Sequence, residues 1–513
     1  MGSGISHKLK LVEQSTSQFL IKMNKLVFAV EQLILNSTFI FITLSYLIPW
    51  WIPFHIYRWV VINIFARYYQ SEDFGKALSP YDSIWADEDF TKYTPKNSLI
   101  CTFTLEGDIK LEEFRSIFKK NVLEAELKSS ASKVRYPELQ QFQVNYMGHK
   151  FWKNDPNYKI QSHIFEVSHH PACQLRLASV HQDALNKLFT PKRSPWDVTL
   201  YRNYENDDGT DKTLVLARFH HSIADAKSIM KLFVECLGQQ KLTTAQPQNV
   251  EEKGFINELF DFLNFPCQYV FQIVPFVIKS VASFHHPWCT TVFVSDSQSF
   301  SHVVGLTEPL SLEDMKSVAK KFGERVTSSS VMMAMITGAI GKMGKRLREE
   351  EVHCAYILPK PDHPPTLGTH ACAGGVMLPT TEVSPEKRLF KCQKLFSEMK
   401  ASGIERYSNF LVWQLGTLIN VVRKLIARNI CNPVGITNIA GEAKGFSVGK
   451  HECSEFIFSA GTLTGCAGVA FCTSSYKNKL RIAVMAKESI LDKIGVKKLA
   501  AAIGEELEIL KTL

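Results

Sequence analysis

The 513-residue sequence lacks the signatures of several large protein classes. It contains no Walker loop, no GxGxxG and no HExxH motif, so P-loop, dinucleotide and zinc-protease sites have no sequence support. No CxxC pair occurs among the twelve cysteines. Their scattered spacing argues against a metal site and against a secreted disulfide framework. Most of them are expected to be buried, reduced side chains.

The charge pattern narrows the classes of partner. The net charge is +9, but the lysines and arginines are spread along the chain. Nucleic-acid-binding proteins concentrate such residues in a stripe, so nucleic acid is not an expected partner. A mildly basic chain instead suits an anionic ligand or a membrane surface. Ordinary globular composition and length predict about three structural units, with no solenoid repeat.

The N-terminal region carries a long uncharged run. No Asp, Glu, Lys or Arg occurs in the 26 residues between Glu31 and Arg58, and a membrane crossing needs about 20 apolar residues. The following PWWIP at residues 49–53 combines interfacial tryptophans with two prolines that are expected to break the helix. Residues 1–75 are therefore predicted to be a membrane anchor, either a hairpin or a single span.

Several features favour a cytosolic N-terminus and a cytosolic main body. Lysines precede the uncharged run, as the positive-inside bias favours, and the unpaired cysteines favour a reducing compartment. The first residues, MGSGIS, also fit the N-myristoylation pattern with Gly2 as acceptor. A hairpin anchor satisfies all of these features, whereas a single span would place the main body in the lumen.

The remainder of the chain mixes helix and strand patterns. Residues 99–105 alternate as a strand does, and residues 213–219 have the β-branched and aliphatic composition of a buried strand. Residues 468–476 and 480–486 are predicted to form a hairpin. The predicted helices, all periodic in their apolar residues, are 111–127, 224–237, 311–322, 330–348, 411–427 and one at the C-terminus. A second uncharged stretch, 263–278, is interrupted by two prolines, and it is expected to lie in a membrane interface or against the core.

One of three His-His pairs has the position that general-base chemistry requires. His220-His221 is followed by Asp225 and lies between a predicted strand and a predicted helix. A histidine there is held by the sheet yet faces open space. Its ordinary pKa of about 6.5 allows it to take up and return a proton. The same spacing also fits a loop histidine whose hydrogen bonds are satisfied within the protein and that has no catalytic role.

Asp225 also has a structural interpretation. Ser222 and Asp225 are spaced like a capping box at the start of the next helix, and acids favour helix N-termini. We therefore expect Asp225 mainly to fix the turn that presents His221.

A rival motif, GFSVG at residues 445–449, matches the G-x-S-x-G of serine hydrolases. That fold orders its triad as serine, acid, histidine. His451 is the one histidine after Ser447, and no acid lies between them. The hydrolase interpretation therefore has little support.

From residue 78 onward, the order and spacing of the motifs resemble the wax ester synthase/diacylglycerol acyltransferase family. This family is one group of the CoA-dependent acyltransferases that use His-x-x-x-Asp. The motifs that carry the resemblance are LSPYD at 78–82, FWKND at 151–155 with His163, SPWD at 194–197, HHSIAD at 220–225 and TNIAG at 437–441.

The resemblance implies a mixed α/β fold of two chloramphenicol-acetyltransferase-like halves around a central tunnel. The halves would span residues 76–250 and 301–513, joined by an apolar, interface-associated crossover at 251–300. The predicted anchor precedes them.

The resemblance also implies the activity. Acyl-CoA and a lipid alcohol would enter the tunnel from different sides, and His221 would deprotonate the alcohol, with His220 and Asp225 completing the catalytic motif. Trp196 and Asn438 would contact substrate, and the reaction would require neither a metal nor a resident cofactor. The expected location is the endoplasmic reticulum membrane, with the catalytic part facing the cytosol, or the lipid droplet.

The sequence departs from the family pattern at three places. Ala226 replaces the usual glycine, Ser328-Ser329 replaces an Asn-Asp pair, and Glu442 replaces a proline. These departures leave the acceptor open between a long-chain alcohol and diacylglycerol. Two further alternatives are a catalytically silent lipid-binding protein of this fold and an acyltransferase for a soluble acceptor.

Overall fold

A computed structural model describes most of the chain after residue 47. The described ranges are 48–69, 74–127, 130–167, 177–205, 211–242, 255–283, 286–289, 301–343, 351–360, 363–427, 432–462 and 467–513. Gly2 and most of the predicted anchor lie outside these ranges. Within them, no helix is both long and apolar enough to cross a bilayer.

The α-helices alternate with the strands along the chain. In chain order they are α1 (Ile48–Val60), α2 (Ala66–Tyr69), α3 (Pro80–Ser83), α4 (Leu111–Phe118), α5 (Leu177–Asn186), α6 (Ala226–Lys231), α7 (Phe255–Ala282), α8 (Leu312–Lys321), α9 (Ser328–Lys342), α10 (Pro385–Ala401), α11 (Ile404–Thr417), α12 (Asn420–Ala427) and α13 (Lys493–Thr512). Shorter 3-10 and π turns lie at Val61–Phe65, Trp85–Asp87, Lys119–Leu123, Pro137–Gln140, Ile160–Ser162 and Leu232–Leu237.

The strands form two large sheets, one for each half, and two small ones. In chain order they are β1 (Phe74–Ala77), β2 (Ser98–Glu106), β3 (Glu126–Leu127), β4 (Ser130–Val134), β5 (Gln141–Tyr146), β6 (His149–Asn154), β7 (Ile164–Glu166), β8 (Trp196–Glu205), β9 (Asp211–His220), β10 (His302–Leu306), β11 (Leu310–Ser311), β12 (Val352–Pro359), β13 (Ala371–Leu378), β14 (Asn432–Ile439), β15 (Ser447–Val448), β16 (His451–Ala460), β17 (Ala467–Tyr476) and β18 (Lys479–Lys487).

The first large sheet has the order β15-β16-β2-β9-β8-β7 and the second has the order β10-β18-β17-β14-β12-β13. Pairing is antiparallel through most of the first sheet and parallel at the centre of the second, where β14 lies between β12 and β17. Strands β2 and β9 are buried along almost their whole length. This burial explains the apolar run at residues 214–217 of β9, because a strand covered on both faces has no polar face to alternate with.

The hairpin of β15 and β16 crosses between the halves. Strand β16 belongs by sequence to the C-terminal half, yet it pairs with β2 from Leu105 to Leu99 in the first sheet. It thereby covers the edge of β2 that β9 leaves open. The two halves therefore share one sheet.

Side-chain contacts also hold the halves together. Arg423 of α12 forms a two-pronged ion pair with Asp87, with a 2.7 Å contact between Nη2 and Oδ1. Helix α11 approaches α3 so closely that a Cβ at Gly416 would lie 1.8 Å from the carbonyl oxygen of Pro80. Only glycine fits at such an approach.

The helices around the prolines differ from the sequence prediction. Helix α1 continues through Pro53 instead of ending there, and α7 runs through residues 266 and 275. Each proline removes one backbone hydrogen bond. In α7, the rings of Phe265 and Tyr269 pack edge-to-face on Phe410 of α11. The prediction that the prolines at residues 49–53 break the helix is therefore wrong.

The helix predicted over residues 411–427 is two helices. The chain leaves α11 at Leu418, whose backbone is extended, and starts α12 at Asn420. The break is set by tertiary contacts, because the Asn420 backbone amide donates to the Gly148 carbonyl of the β5–β6 turn at 2.9 Å.

Candidate active site

A cavity of about 370 Å³ lies between the two halves. The first half contributes residues near the end of β9 and at the edge of its sheet, and the second contributes β12, β13, β14 and α11. Its lining includes Trp85, His221, Asp225, Val412 and Asn438. Most of the remaining lining is aliphatic, so the cavity suits an apolar ligand with a few fixed polar contacts.

His221 is held at the cavity wall by the strand that precedes it. It follows the last residue of β9, and its backbone amide donates to the Asn97 carbonyl at 2.8 Å. The indole of Trp85 stacks on its imidazole, with 4.2 Å between ring centroids and 22° between ring planes. The residue is 8% exposed, so its ring orientation is set by packing.

The two ring nitrogens of His221 have different surroundings. The ring hydrogen-bonds to the residue's own backbone carbonyl, and the Thr369 hydroxyl lies 3.4 Å from Nδ1. These contacts place the proton of the neutral ring on Nδ1. Within the described ranges, no protein group hydrogen-bonds to Nε2. Nε2 is therefore the nitrogen with a lone pair available to a ligand.

Burial favours the neutral form of this histidine. Loss of solvent lowers the pKa of His221 to about 4, although the negative charge of Asp225 opposes the shift. At neutral pH the ring is therefore uncharged, which is the form that accepts a proton.

Asp225 organises the turn behind His221. It is the N-cap of α6, and its Oδ1 accepts from the Ser228 backbone amide at 2.7 Å. Its Oδ2 accepts from the His370 amide at 2.8 Å, and Nε2 of His363 lies 3.1 Å from Oδ1. Burial alone would raise the pKa of Asp225, but these hydrogen bonds and the nearby His363 hold it below its usual value.

These contacts agree with a mainly structural role for Asp225, but they differ from the predicted capping box. The capping-box interpretation places Ser222 at the N-cap, whereas Asp225 itself is the N-cap. The Ser222 hydroxyl instead contacts Nδ1 of His220 at 2.7 Å.

A loop from the second half completes the support of His221. Residues 363–370 connect β12 to β13, and they contact the first half at several points. The Thr369 hydroxyl lies 3.3 Å from the His221 carbonyl, and the Thr369 amide donates to Asp82 at 2.7 Å. Lys231 donates to the His363 carbonyl at 2.6 Å. The predicted base is therefore positioned by both halves at once.

His220 points away from the cavity. Its side chain is fully buried, and Nε2 lies 2.8 Å from Oε1 of Glu88. The carboxylate of Glu88 also accepts from the backbone amides of Lys96 and Asn97. His220 thus ties the end of β9 to the segment before β2, and its contacts are structural.

The two predicted substrate-contacting residues have different positions. Asn438 lines the cavity from β14, and its Oδ1 accepts from the Thr473 hydroxyl at 2.8 Å. Trp196 is 2% exposed, donates from Nε1 to the Leu139 carbonyl at 2.8 Å and stacks on His163 at 4.5 Å. Its ring is not part of the cavity lining. The structure therefore brings together His221, Asp225 and Asn438, but not Trp196.

Sequence reasoning missed three residues whose side chains contact His221 or Asp225. Trp85 lies three residues after the LSPYD motif, so a wider motif would have included it. Thr369 and His363 lie more than 130 residues from their partners in the chain, and no local pattern indicates such contacts.

The GFSVG segment forms part of a β-hairpin. Ser447 pairs with Glu452 across β15 and β16. A nucleophile elbow would place this serine between a strand and a helix. The position of Ser447 in a hairpin therefore does not fit a serine hydrolase.

Comparison with known proteins gives one family match. Residues 375–511 match the family described as WS/DGAT C-terminal domain. No curated protein matches the sequence.

Solved structures share the fold at low sequence identity. The wax ester synthase/diacylglycerol acyltransferase from Marinobacter aquaeolei VT8 is 14% identical, with TM-score 0.54, covering 85% of this chain and 100% of that one. The trichothecene 15-O-acetyltransferase from Fusarium sporotrichioides is 12% identical, with TM-score 0.58, covering 85% and 94%. The cyclization-docking bidomain of a peptide synthetase from Sorangium cellulosum is 15% identical, with TM-score 0.52, covering 85% and 84%.

The domain match at residues 375–511 indicates an acyl-CoA-dependent O-acyltransferase. The fold shared with the solved structures agrees with this activity. The predicted resemblance to the wax ester synthase/diacylglycerol acyltransferase family is confirmed, with the family's C-terminal domain at residues 375–511. The predicted mixed α/β architecture of two lobes is confirmed as well, whereas the N-terminal membrane anchor is not.

Proposed function

We propose that the protein is a membrane-bound enzyme that transfers a fatty acyl group from acyl-CoA to a lipid alcohol, with His221 as the general base. Nε2 of His221 takes the hydroxyl proton while the alcohol oxygen attacks the thioester carbonyl carbon. The carbon–sulfur bond then breaks, and the imidazolium returns the proton to the CoA thiolate. Ester and free CoA leave, so atoms and charge balance without another reactant.

One observation carries this proposal. A neutral histidine with Nε2 unengaged by the described residues faces a mostly aliphatic cavity between the halves. A long acyl chain or a lipid alcohol suits such a lining, because each methylene transferred from water contributes about 0.8 kcal/mol. The acceptor is then a long-chain alcohol, giving a wax ester, or diacylglycerol, giving triacylglycerol. We place this reaction at the endoplasmic reticulum membrane, with the catalytic part on the cytosolic side.

The direct test uses microsomes that contain the wild type or His221→Asn at equal expression, supplied with labelled long-chain acyl-CoA. Half of the samples receive a fatty alcohol and half receive diacylglycerol. We expect labelled ester with one acceptor from the wild type only, because the variant retains the cavity but loses the base. An absence of ester with both acceptors would favour the silent lipid-binding alternative.

The pH profile tests the environment of the base. Because the pKa of His221 is lowered to about 4, its base form persists below the range of an ordinary histidine. We expect kcat/KM to be flat from neutral pH to about pH 5 and to fall near pH 4. Enzyme returned to pH 7 after each measurement controls for acid unfolding. An acid limb near pH 6.5 would contradict the buried environment.

A further inference from the structure

Helices α1 and α12 leave rows of apolar side chains uncovered. Helix α1 exposes Ile52, Ile56 and Trp59 by 53%, 58% and 59%, and their spacing of four and three residues places them on one face. Helix α12 exposes Val421 and Leu425 by 63% and 58%, four residues apart. A single exposed leucine is ordinary, but rows on adjacent helices mark an interaction surface.

Both helices contact the same β5–β6 turn, and we infer that the two rows belong to one surface. The Tyr57 hydroxyl of α1 donates to the Met147 carbonyl at 3.2 Å, and the Asn420 amide of α12 donates to the Gly148 carbonyl at 2.9 Å. Met147 itself is 38% exposed. We call this surface the apolar face, and its members are Ile52, Ile56, Trp59, Met147, Val421 and Leu425.

The apolar face lies one helix away from the cavity. Val412 of α11 lines the cavity, and the next residue, Trp413, stacks on His55 of α1 with 4.6 Å between ring centroids. Helix α11 therefore has the cavity on one side and α1 on the other. Helix α7, which also packs on α11 and leaves Ile278 58% exposed, extends the uncovered apolar surface.

The charges around the face suit an anionic lipid surface. The sequences of α1 and α12 contain no acidic residue. Arg58, the single charged residue of α1, is 8% exposed and turns inward to the Leu78 carbonyl at 2.6 Å, so it leaves the face uninterrupted. Exposed Arg67 follows α1, and exposed Lys279 lies on α7. An apolar row with basic flanks is the pattern of an interfacial helix.

The sequence before the face points to the same partner. The uncharged run between Glu31 and Arg58 leads directly into α1, so the exposed row is the end of a longer apolar stretch. A soluble protein partner would not require 26 consecutive uncharged residues, whereas a bilayer favours them.

We propose that the apolar face lies on an anionic bilayer surface and directs the α11 side of the cavity toward the lipid, so that the alcohol acceptor enters from that side. This inference rests on the proposed function for the identity of the acceptor. The exposure, charges, contacts and preceding uncharged sequence of the surface do not depend on that function.

The test compares two double variants of the full chain. Ile56→Asp/Val421→Asp places charges on the apolar face. Val383→Asp/Ile494→Asp is the matched control, because Val383 and Ile494 are 88% and 62% exposed but lie outside the face. Each protein is assayed with a long-chain alcohol in phosphatidylcholine–phosphatidylserine vesicles and with a short, water-soluble alcohol, and its vesicle flotation and Tm are measured.

We expect the apolar-face variant to lose at least about tenfold in kcat/KM for the vesicle acceptor, since burying one isoleucine contributes that much to association. Its activity on the soluble alcohol and its Tm should match those of the control. Equal vesicle activity of the two variants would overturn the proposal. So would a loss with both alcohols and a lower Tm, because the face would then be covered by the chain's own N-terminal segment or by a second copy.

If the proposed function is wrong, the same experiment gives a different result. If the wild type esterifies neither alcohol, the acyltransferase assignment fails, and flotation alone decides the surface. In that case we expect wild type and control to float and the apolar-face variant to float at least about tenfold less. Flotation of all three proteins to the same extent would overturn the proposed surface.

Discussion

Replacement of His221 by asparagine is expected to lower kcat about a thousandfold, within the range that a positioned general base contributes. Asparagine fills much of the same space beside Trp85 and keeps a polar group near Thr369, but it cannot accept the hydroxyl proton. The measurement is steady-state ester formation from labelled acyl-CoA and the acceptor identified in microsomes. Because binding surfaces remain, KM should change far less than kcat.

The control for this prediction is another buried histidine. His353 of β12 is 2% exposed and lies outside the cavity lining, with its ring 5.7 Å from Phe276. His353→Asn repeats the chemical change without touching the predicted base, so kcat should fall by less than about threefold. If the two variants lose activity equally, or if His221→Asn retains more than about a tenth of it, His221 is not the base.

Replacement of Asp225 by alanine is expected to lower the free energy of unfolding by about 3–5 kcal/mol. The carboxylate is 4% exposed, and it accepts from the amides of Ser228 and His370 and contacts His363. Alanine leaves these polar groups buried without their acceptor. Urea unfolding at pH 7 measures the difference, and the same variant should lose activity because the loop that supports His221 is released.

The matched control is Asp492→Ala. Asp492 caps α13 in the same way, accepting from the Gly495 amide at 2.6 Å, but it is exposed. Its loss should cost about 1 kcal/mol. A similar cost for both variants would mean that the network around Asp225 adds nothing beyond an ordinary cap.

The stability that Asp225 contributes has a defined pH dependence. Its pKa in the folded protein lies below that of an unfolded aspartate. The stabilisation is therefore present at neutral pH and is lost as the pH falls below about 4. The difference between wild type and Asp225→Ala should shrink over that range.

The strands of the core were predictable because their sequences reflect burial. The expected strands 99–105 and 213–219 correspond to Ser98–Glu106 and Asp211–His220. The alternation of residues 99–105 and the aliphatic run of residues 213–219 are strand patterns that are visible without a structure. The hairpin of β17 and β18 was predictable because Lys477 and Asn478, at its turn, interrupt two apolar runs.

The features that could not be predicted from the sequence depend on contacts between residues that are far apart in the chain. The apolar pattern of residues 411–427 continues across the break between α11 and α12, and the break follows from the contact of Asn420 with Gly148. The motif at His221 and Asp225 indicated the site, but the loop that supports it comes from the other half of the chain. Trp196 belongs to the SPWD motif at residues 194–197, yet its side chain is buried in the core and does not line the cavity.

The strand shared between the halves has a consequence for biosynthesis. Translation of the first half is complete at residue 250. The outer edge of β2 nevertheless remains unpaired until β16, which ends at Ala460, leaves the ribosome. During that interval the nascent sheet presents unpaired amides and carbonyls that other chains can pair with. A shortened gene product that stops before residue 447 should therefore be retained by chaperones or precipitate, even though it carries His221 and Asp225 intact.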